Sequence, residues 1–370
     1  MAKRMVLLAA LCSGVAVVAA GIPWSQGQDQ SRIFVNVVLV QLNVAVTDRK
    51  GAYITGLRPE NFLVTEDKIP EKIASFEEGG APAGGTNPAI LAESGGGSGG
   101  GTEGSGAGAG SAEGAGEGPA APAPGIADGS AVSAQRAISR LAGASVFILF
   151  DTSDYMYRGF VFAQDAIAGF VRSMQDADRI AFYSYSRDLS RATPLTTDRS
   201  VVMRGVRSSV AGDDAALYNC LLLTVRDAAQ LHGRKAIVVF SNGPDNASSV
   251  PPEDVEELAQ STGTVIYIIS TRQAHDEPVS SAVFERMSRG TGGKAYFAKD
   301  WRDESLAFSS IREDLSHLYT ISYYPKPNAN RGWRRISVRL VGRDLEQYRV
   351  RTRDGYRLQE QVPAAARAAE

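Results

Sequence analysis

The sequence predicts an α/β protein: a doubly wound parallel sheet, inserted in or flanked by a small β-sandwich. Three observations predict it. Between residues 140 and 317, short apolar runs alternate with segments of helical periodicity, the signature of βαβ units. Before residue 78 and after residue 318 the chain reads as short alternating strands with no helix between them. A glycine-rich stretch separates the first β block from the α/β part.

In chain order, Lys3 and Arg4 precede an apolar run from Met5 to Ala20, and Val18-Ala19-Ala20 offers small side chains for cleavage. Residues 1–20 therefore read as a signal peptide, since the run is short of the roughly 20 residues of a membrane span. An uncleaved N-terminal anchor is the alternative. Export to the periplasm, cell envelope or medium follows, and no later segment is long and apolar enough to cross a bilayer. Loss of Cys12 with the signal leaves only Cys220, which excludes a disulfide framework and reads as a small core residue.

Residues 31–78 form the first β block. Phe34 to Val40 and Leu42 to Val46 read as one long strand, or as two strands with a bulge. Ile54 to Leu57 is a candidate pairing partner, Arg58 to Asn61 a helical turn, Phe62 to Val64 a strand, and Lys72 to Phe76 the closing strand. Some 45 residues make a thin core alone. Residues 79–130 hold half of the chain's 38 glycines and almost no branched apolar residues. That composition cannot offset the entropy of ordering, so the stretch reads as a tether.

The α/β part opens with Val146 to Phe150, wholly apolar as a central parallel strand must be. Ala163, Ile167, Phe170, Val171 and Met174 follow at helical spacing, then a strand from Ile180 to Tyr185. Ala216 to Leu231 is helical, Ala236 to Phe240 a buried strand, and Pro251-Pro252-Glu253-Asp254 opens a helix. Thr264 to Ser270 (strand), Val279 to Arg289 (helix), Lys294 to Ala298 (strand) and Trp301 to Ser316 (helix) complete the unit. Residues 318–357 return to strands at Tyr319 to Tyr324, Trp333 to Leu340 and Tyr348 to Arg351, with Arg334, Arg339 and Arg351 expected on solvent faces. Three strands cannot stand alone, so they are expected to pair with residues 31–78 around the inserted unit. Residues 358–370 read as a tail.

Ligands of an open parallel sheet bind beyond the carboxyl ends of its strands. Three loops there carry the candidate residues: Asp151-Thr152-Ser153-Asp154-Tyr155, Gly212-Asp213-Asp214-Ala215-Ala216-Leu217-Tyr218 and Ser241-Asn242-Gly243-Pro244-Asp245. With Val46 to Gly51, Gly56 to Phe62, Tyr323 with Pro325, and Arg353-Asp354-Gly355-Tyr356, these motifs resemble a von Willebrand factor A domain protein. More narrowly, they resemble the VWFA-related proteins of Acidobacteria. The resemblance implies a metal-ion-dependent adhesion site: an Asp-x-Ser-x-Ser loop joined by a Thr and an Asp, holding Mg2+ or another divalent cation through hard oxygens. Asp151 and Ser153 match that pattern, whereas Tyr155, Ala215 and Asn242 stand at the second Ser, the Thr and the Asp. The site is therefore degenerate, and two readings stay open. In one, Asp154, Asp213, Asp214 or Asp245 supplies replacement carboxylates. In the other the loops hold no metal, no cofactor is required, and Asp151 accepts backbone N–H groups.

Enzyme chemistry finds little support. The histidines, His232, His275 and His317, lie near element ends, and no P-loop, HExxH or Cys/His metal spacing occurs. Gly99-x-Gly101-x-x-Gly104 spells a dinucleotide fingerprint without the strand and helix it requires. A hydrolase using the Asp151 loop lacks the second Asp two residues on. A net charge of -2 gives no electrostatic argument for nucleic acid or an anionic membrane as partner, and neither is expected. The sequence reads as a non-enzymatic exported protein that binds another protein at the cell envelope. Its alternative is a structural envelope component with a silent site.

Overall fold

The computed structural model describes residues 39–79, 143–176, 178–270 and 278–358. The signal segment, Cys12, the strand start at Phe34, His275, and all but the first residue of the tether and of the tail lie outside these. Strands β1 (Val40–Thr47), β2 (Phe62–Glu66), β3 (Ile69–Glu71) and β4 (Ile73–Glu78) precede the inserted unit. Strands β11 (Tyr319–Tyr323), β12 (Trp333–Leu340), β13 (Arg349–Arg351) and β14 (Gly355–Arg357) follow it.

These eight strands make two antiparallel sheets, ordered β13-β1-β11-β4 and β14-β12-β2-β3. Each sheet mixes strands from both sides of the insertion: Leu42 pairs with Ile321, and Val64 with Val338. Alternation along the strands sends Leu42, Val44, Tyr319 and Ile321 inward from one sheet and Val64, Ile336 and Tyr356 from the other, giving one shared core. Within it Glu66 meets Arg334 at 2.7 Å and accepts the Tyr323 and Tyr356 phenols, both at 2.9 Å.

The inserted unit is a six-stranded sheet ordered β10-β9-β8-β5-β6-β7. Its strands are β5 (Ser145–Asp151), β6 (Arg179–Tyr185), β7 (Leu189–Thr196), β8 (Lys235–Ser241), β9 (Val265–Ser270) and β10 (Ala295–Phe297). Helices α1 (Phe160–Ser173), α2 (Arg199–Arg207) and α6 (Trp301–His317) pack on one face. On the other lie α3 (Leu217–Ala229), α4 (Pro252–Thr262) and α5 (Pro278–Thr291). Period-two geometry divides β5 between them, with Val146, Ile148 and Phe150 facing the first layer and Phe147 and Leu149 the second. Cys220 is buried in the second layer, where burial pushes its thiol up to about 12 and makes it inert.

The structure corrects several expectations. The sheet is not wholly parallel, because β7 runs antiparallel to β6. Only residues 186–188 join the two strands, which suffices for a hairpin but not for a crossover. Its polar sequence and Pro194 suit an edge strand, and hid it from pattern reading. Helix α2 also escaped; Asp198 caps it by accepting from Ser200 and Val201 N–H groups, and Gly205 lies so close to Thr193 that a Cβ would meet the hydroxyl at 2.1 Å. Ile54–Leu57 is no strand: a single bridge joins Tyr53 to Thr47. Short β3 and β14 were likewise missed. Arg334 and Arg351 do not face solvent, whereas Arg339 does.

Arg351 has a specific partner. Asp314 on α6 is fully buried and takes the Arg351 guanidinium on both oxygens at 2.5 Å. It also accepts the phenols of Tyr53 and Tyr267, each at 2.7 Å. Burial pushes this carboxyl upward, but the Arg351 and Lys294 charges and the two phenols outweigh burial and hold it below its ordinary value. Arg353 adds a second tie, donating to the carbonyls of Gln260 on α4 and Gln41 on β1. Asp314, Tyr267 and Gln260 belong to the inserted unit; Tyr53, Arg351, Arg353 and Gln41 belong to the flanking segments.

Two measurements test these contacts. Arg351→Met leaves the buried Asp314 charge without its closest cation, with only Lys294 at 4.0 Å remaining, and should cost about 3–5 kcal/mol of unfolding free energy in a denaturant titration. Lys235 is buried, its ammonium donates to the Leu231 carbonyl at 3.1 Å, and burial lowers its pKa to about 8. Its lowered value means that the unfolded chain binds this proton first as pH falls from 10.5 to 8, so folding weakens across that window. Lys235→Met should therefore melt higher than wild type at pH 7, with the difference shrinking as pH approaches 10.5.

Candidate functional site

Strand β5 has β6 on one side and β8 on the other, so the strand order reverses at its carboxyl end. Asp151 is the last residue of that strand. The topology thus brings the three candidate loops together, and their backbones lash them to one another. Asp154 N donates to Asp213 O at 2.9 Å and Gly212 N to Thr152 O at 2.7 Å, joining the first loop to the second. Asn246 and Ala247 N–H groups both reach Ala215 O, joining the second to the third. Gly212 is needed for the close approach, since a Cβ there would meet Ser186 Oγ at 2.4 Å.

Asp151 has no exposed surface. Its Oδ1 accepts from the Ser153 N–H at 2.9 Å and from Ser153 Oγ at 2.6 Å. Its Oδ2 accepts from Ser241 Oγ at 2.8 Å. Ser241 Oγ in turn accepts from the Tyr185 hydroxyl at 3.0 Å and from Gly243 N at 3.1 Å. Burial pushes the Asp151 carboxyl above its ordinary value, and the Ser153 and Ser241 hydrogen bonds pull the other way without reversing it. Ser241 and Tyr185 are the partners that sequence reasoning missed. Ser241 lies within a quoted loop, but Tyr185 sits on the adjacent strand, and only pairing brings its hydroxyl here.

The remaining candidates diverge. Asn242 is buried and its side-chain amide donates to the Tyr155 carbonyl. Tyr155 turns outward, 39% exposed, and Ala215 is fully buried with no oxygen on its side chain. Asp245 is committed to a helix start, accepting from Tyr218 N at 2.9 Å and Ser248 N at 2.9 Å. Asp214 lies 3.4 Å from Arg187 and accepts from Asn246 at 3.3 Å. Asp154 and Asp213 are exposed. Among the described residues no three His, Cys, Asp or Glu side chains stand together as a metal cluster. A divalent cation of the Mg2+ kind wants about six hard oxygens, and the residues present do not fit it. Asp151 already receives hydrogen bonds on both oxygens, Tyr155 and Ala215 bring no hydroxyl to the spot, and the Asn242 amide points its nitrogen at a carbonyl.

Residues 145–311 match the family model described as von Willebrand factor type A domain. The inserted unit is a von Willebrand factor type A domain. An uncharacterized protein of Borreliella burgdorferi is 25% identical over 242 residues, covering 59% of this chain and 67% of that protein. Among solved structures, the conserved hypothetical protein BatB from Bacteroides thetaiotaomicron aligns with 16% identity and a TM-score of 0.39 over 47% of this chain and 98% of its own. The von Willebrand factor domain of the type V pili tip protein Mfa5 from Porphyromonas gingivalis gives 13% identity and 0.39 over 46% and 94%. In this von Willebrand factor type A domain, His232 and His317 follow α3 and end α6, at the sheet edge opposite Asp151. His317 stacks on Tyr53 at 5.1 Å. Neither can serve as a base for the Asp151 loop.

Asp151→Ala removes the acceptor of three hydrogen bonds and leaves buried Ser153 and Ser241 donors unpaired, which should cost about 2–5 kcal/mol in chemical denaturation.

Proposed function

We propose that this protein is a non-enzymatic, exported binding protein. Its von Willebrand factor type A domain captures a protein partner on the loop edge of the sheet without a divalent cation. The observation that carries this reading is the closed Asp151–Ser153–Ser241–Tyr185 network. It supplies from hydroxyls and one N–H what a cation would otherwise supply, a set of positive ends facing a buried carboxylate. Around it the exposed side chains of Tyr155, Asp154 and Asp213 form a crest of one aromatic and two acids. An aromatic surface with a polar rim suits a protein partner. Export rests on the charged and apolar start of the chain. No helix among the described residues is long and apolar enough to cross a membrane.

A second reading is favoured by the Asp314–Arg351 and Arg353 ties, which brace the domain against the sandwich. In that reading the protein is a structural envelope component and the loop edge is silent. Capture from envelope extracts with wild type and a Tyr155→Ala/Asp154→Ala/Asp213→Ala variant separates the two. Binding on the loop edge predicts partners lost in the variant, whereas equal recovery favours the structural role. In calorimetric titrations of the whole chain, neither Mg2+ nor Mn2+ should bind with a dissociation constant below about 1 mM; tighter binding would overturn the metal-free reading.

A further inference from the structure

The outward face of the β14-β12-β2-β3 sheet is basic. Strand alternation sends Val64, Ile336 and Val338 into the core, so Leu63, Thr65, Arg335, Ser337 and Arg339 point the other way. With Lys68 they line a shallow depression of about 740 Å³. Lys68, Arg335 and Arg339 are exposed, and among the described residues none of the three is in an ion pair. Asp67 also lines the depression, but its carboxylate is engaged. It accepts from the Arg335 N–H at 2.9 Å and from the Asn328 and Asn330 amides at 2.8 and 2.9 Å. Lys68 is held by the two-residue turn between β2 and β3, where a φ of 71° gives it a left-handed conformation that favours glycine.

The opposite end of the molecule carries the opposite sign. The sandwich joins the inserted domain at the amino ends of its parallel strands, where Ala45 shares a core with Ala144 and Val146. The loop edge lies beyond the carboxyl ends, about 20 Å away along the seven residues of β5. There Asp154 and Asp213 are exposed, and a 2.9 Å hydrogen bond between their backbones keeps them side by side. In the loops 151–155, 186–188, 212–216 and 241–246 the one cation is Arg187, and it is paired with Asp214.

We propose that the basic sheet face of one molecule receives the acidic loop edge of a second copy, in a head-to-tail contact. The two surfaces lie at opposite ends, so they cannot meet within one molecule. Their groups match. Asp154 and Asp213 are neighbours on one side, and Lys68 and Arg335 on the other, since Asp67 N donates to Arg335 O at 2.8 Å. Tyr155, 39% exposed, offers a ring to a guanidinium, and Leu63, also 39% exposed, adds apolar surface beside it. Because the contact joins two different surfaces, it continues as a ring or an open chain of molecules. Resting on the loop edge as the binding surface, this contact names its partner as the chain itself.

Sedimentation of the whole chain tests the contact. The average mass should rise with concentration up to about 100 µM in about 50 mM salt, and association should weaken at least about tenfold in about 500 mM salt. Arg335→Glu/Arg339→Glu and Asp154→Arg/Asp213→Arg should each stay monomeric. Their equimolar mixture should associate again, because the reversed face of one variant meets the reversed edge of the other. Arg335→Gln/Arg339→Gln, which removes charge without adding any, should weaken association at least about tenfold. A wild-type chain that stays monomeric up to about 1 mM overturns the inference. Association that survives either charge reversal, or a mixture that stays monomeric, overturns it too. A monomeric wild type whose envelope partners are still lost on the Tyr155, Asp154 and Asp213 substitutions removes this contact and leaves the loop edge as a binding surface for another protein.

Discussion

The buried carboxylate of Asp314 organises how the parts of this protein meet. A charge with no access to water is tolerable only when fully compensated, and its compensation comes from four side chains: Arg351 on β13, Tyr53 after β1, Tyr267 on β9 and Lys294 before β10. No one segment could satisfy it. The helix that carries it, the central sheet and the sandwich must all be in place together, so the interface between the two layers of the molecule is defined by a stoichiometry of donors. Arg353, reaching carbonyls on α4 and β1, fixes the same interface at a second point.

Insertion imposes a matching constraint on the sandwich. Strand β11 lies between β1 and β4, and β12 between β14 and β2. Neither flank therefore has a complete sheet or core of its own, and the strands on either side of the inserted domain are mutual partners despite the separation in sequence. The Arg353-Asp354-Gly355-Tyr356 motif shows how tightly this is built. Arg353 braces the domain and Tyr356 reaches Glu66. Gly355 sits where a Cβ would lie 2.4 Å from the Arg334 carbonyl. These residues hold the frame and take no part in the loop edge.

At that edge the same economy of donors appears in a different form. A reversal of strand order places Asp151 at the natural ligand position of the sheet. Its surroundings have closed over it. Hydroxyls of Ser153 and Ser241, backed by Tyr185, engage both carboxylate oxygens, and the nearby acids are either bound up in capping and pairing or turned to solvent. On the surface of these loops the side chains of Asp154, Tyr155 and Asp213 are exposed, as is the Arg187–Asp214 pair.

Much of this was legible in the chain itself. Continuous apolar runs named β5, β8 and β9, because a strand buried on both faces has no polar position to break the pattern. Helical spacing named α1. Strand β7 and short β14 were not legible, because edge and three-residue elements are defined by their neighbours and carry little periodicity of their own; helix α2 did carry a signal, the Asp198 cap and the Val202–Val206 spacing, that pattern reading passed over. The burial of Arg334 and Arg351 was hidden for a related reason: charge on an alternating strand reads as solvent-facing until a partner such as Glu66 or Asp314 arrives from a distant segment. Sequence alone determined which residues stand at the loop edge. Only the tertiary structure decided that Tyr185 and Ser241 complete the Asp151 network, since hydrogen bonds between strands depend on register and distance, which no local pattern encodes.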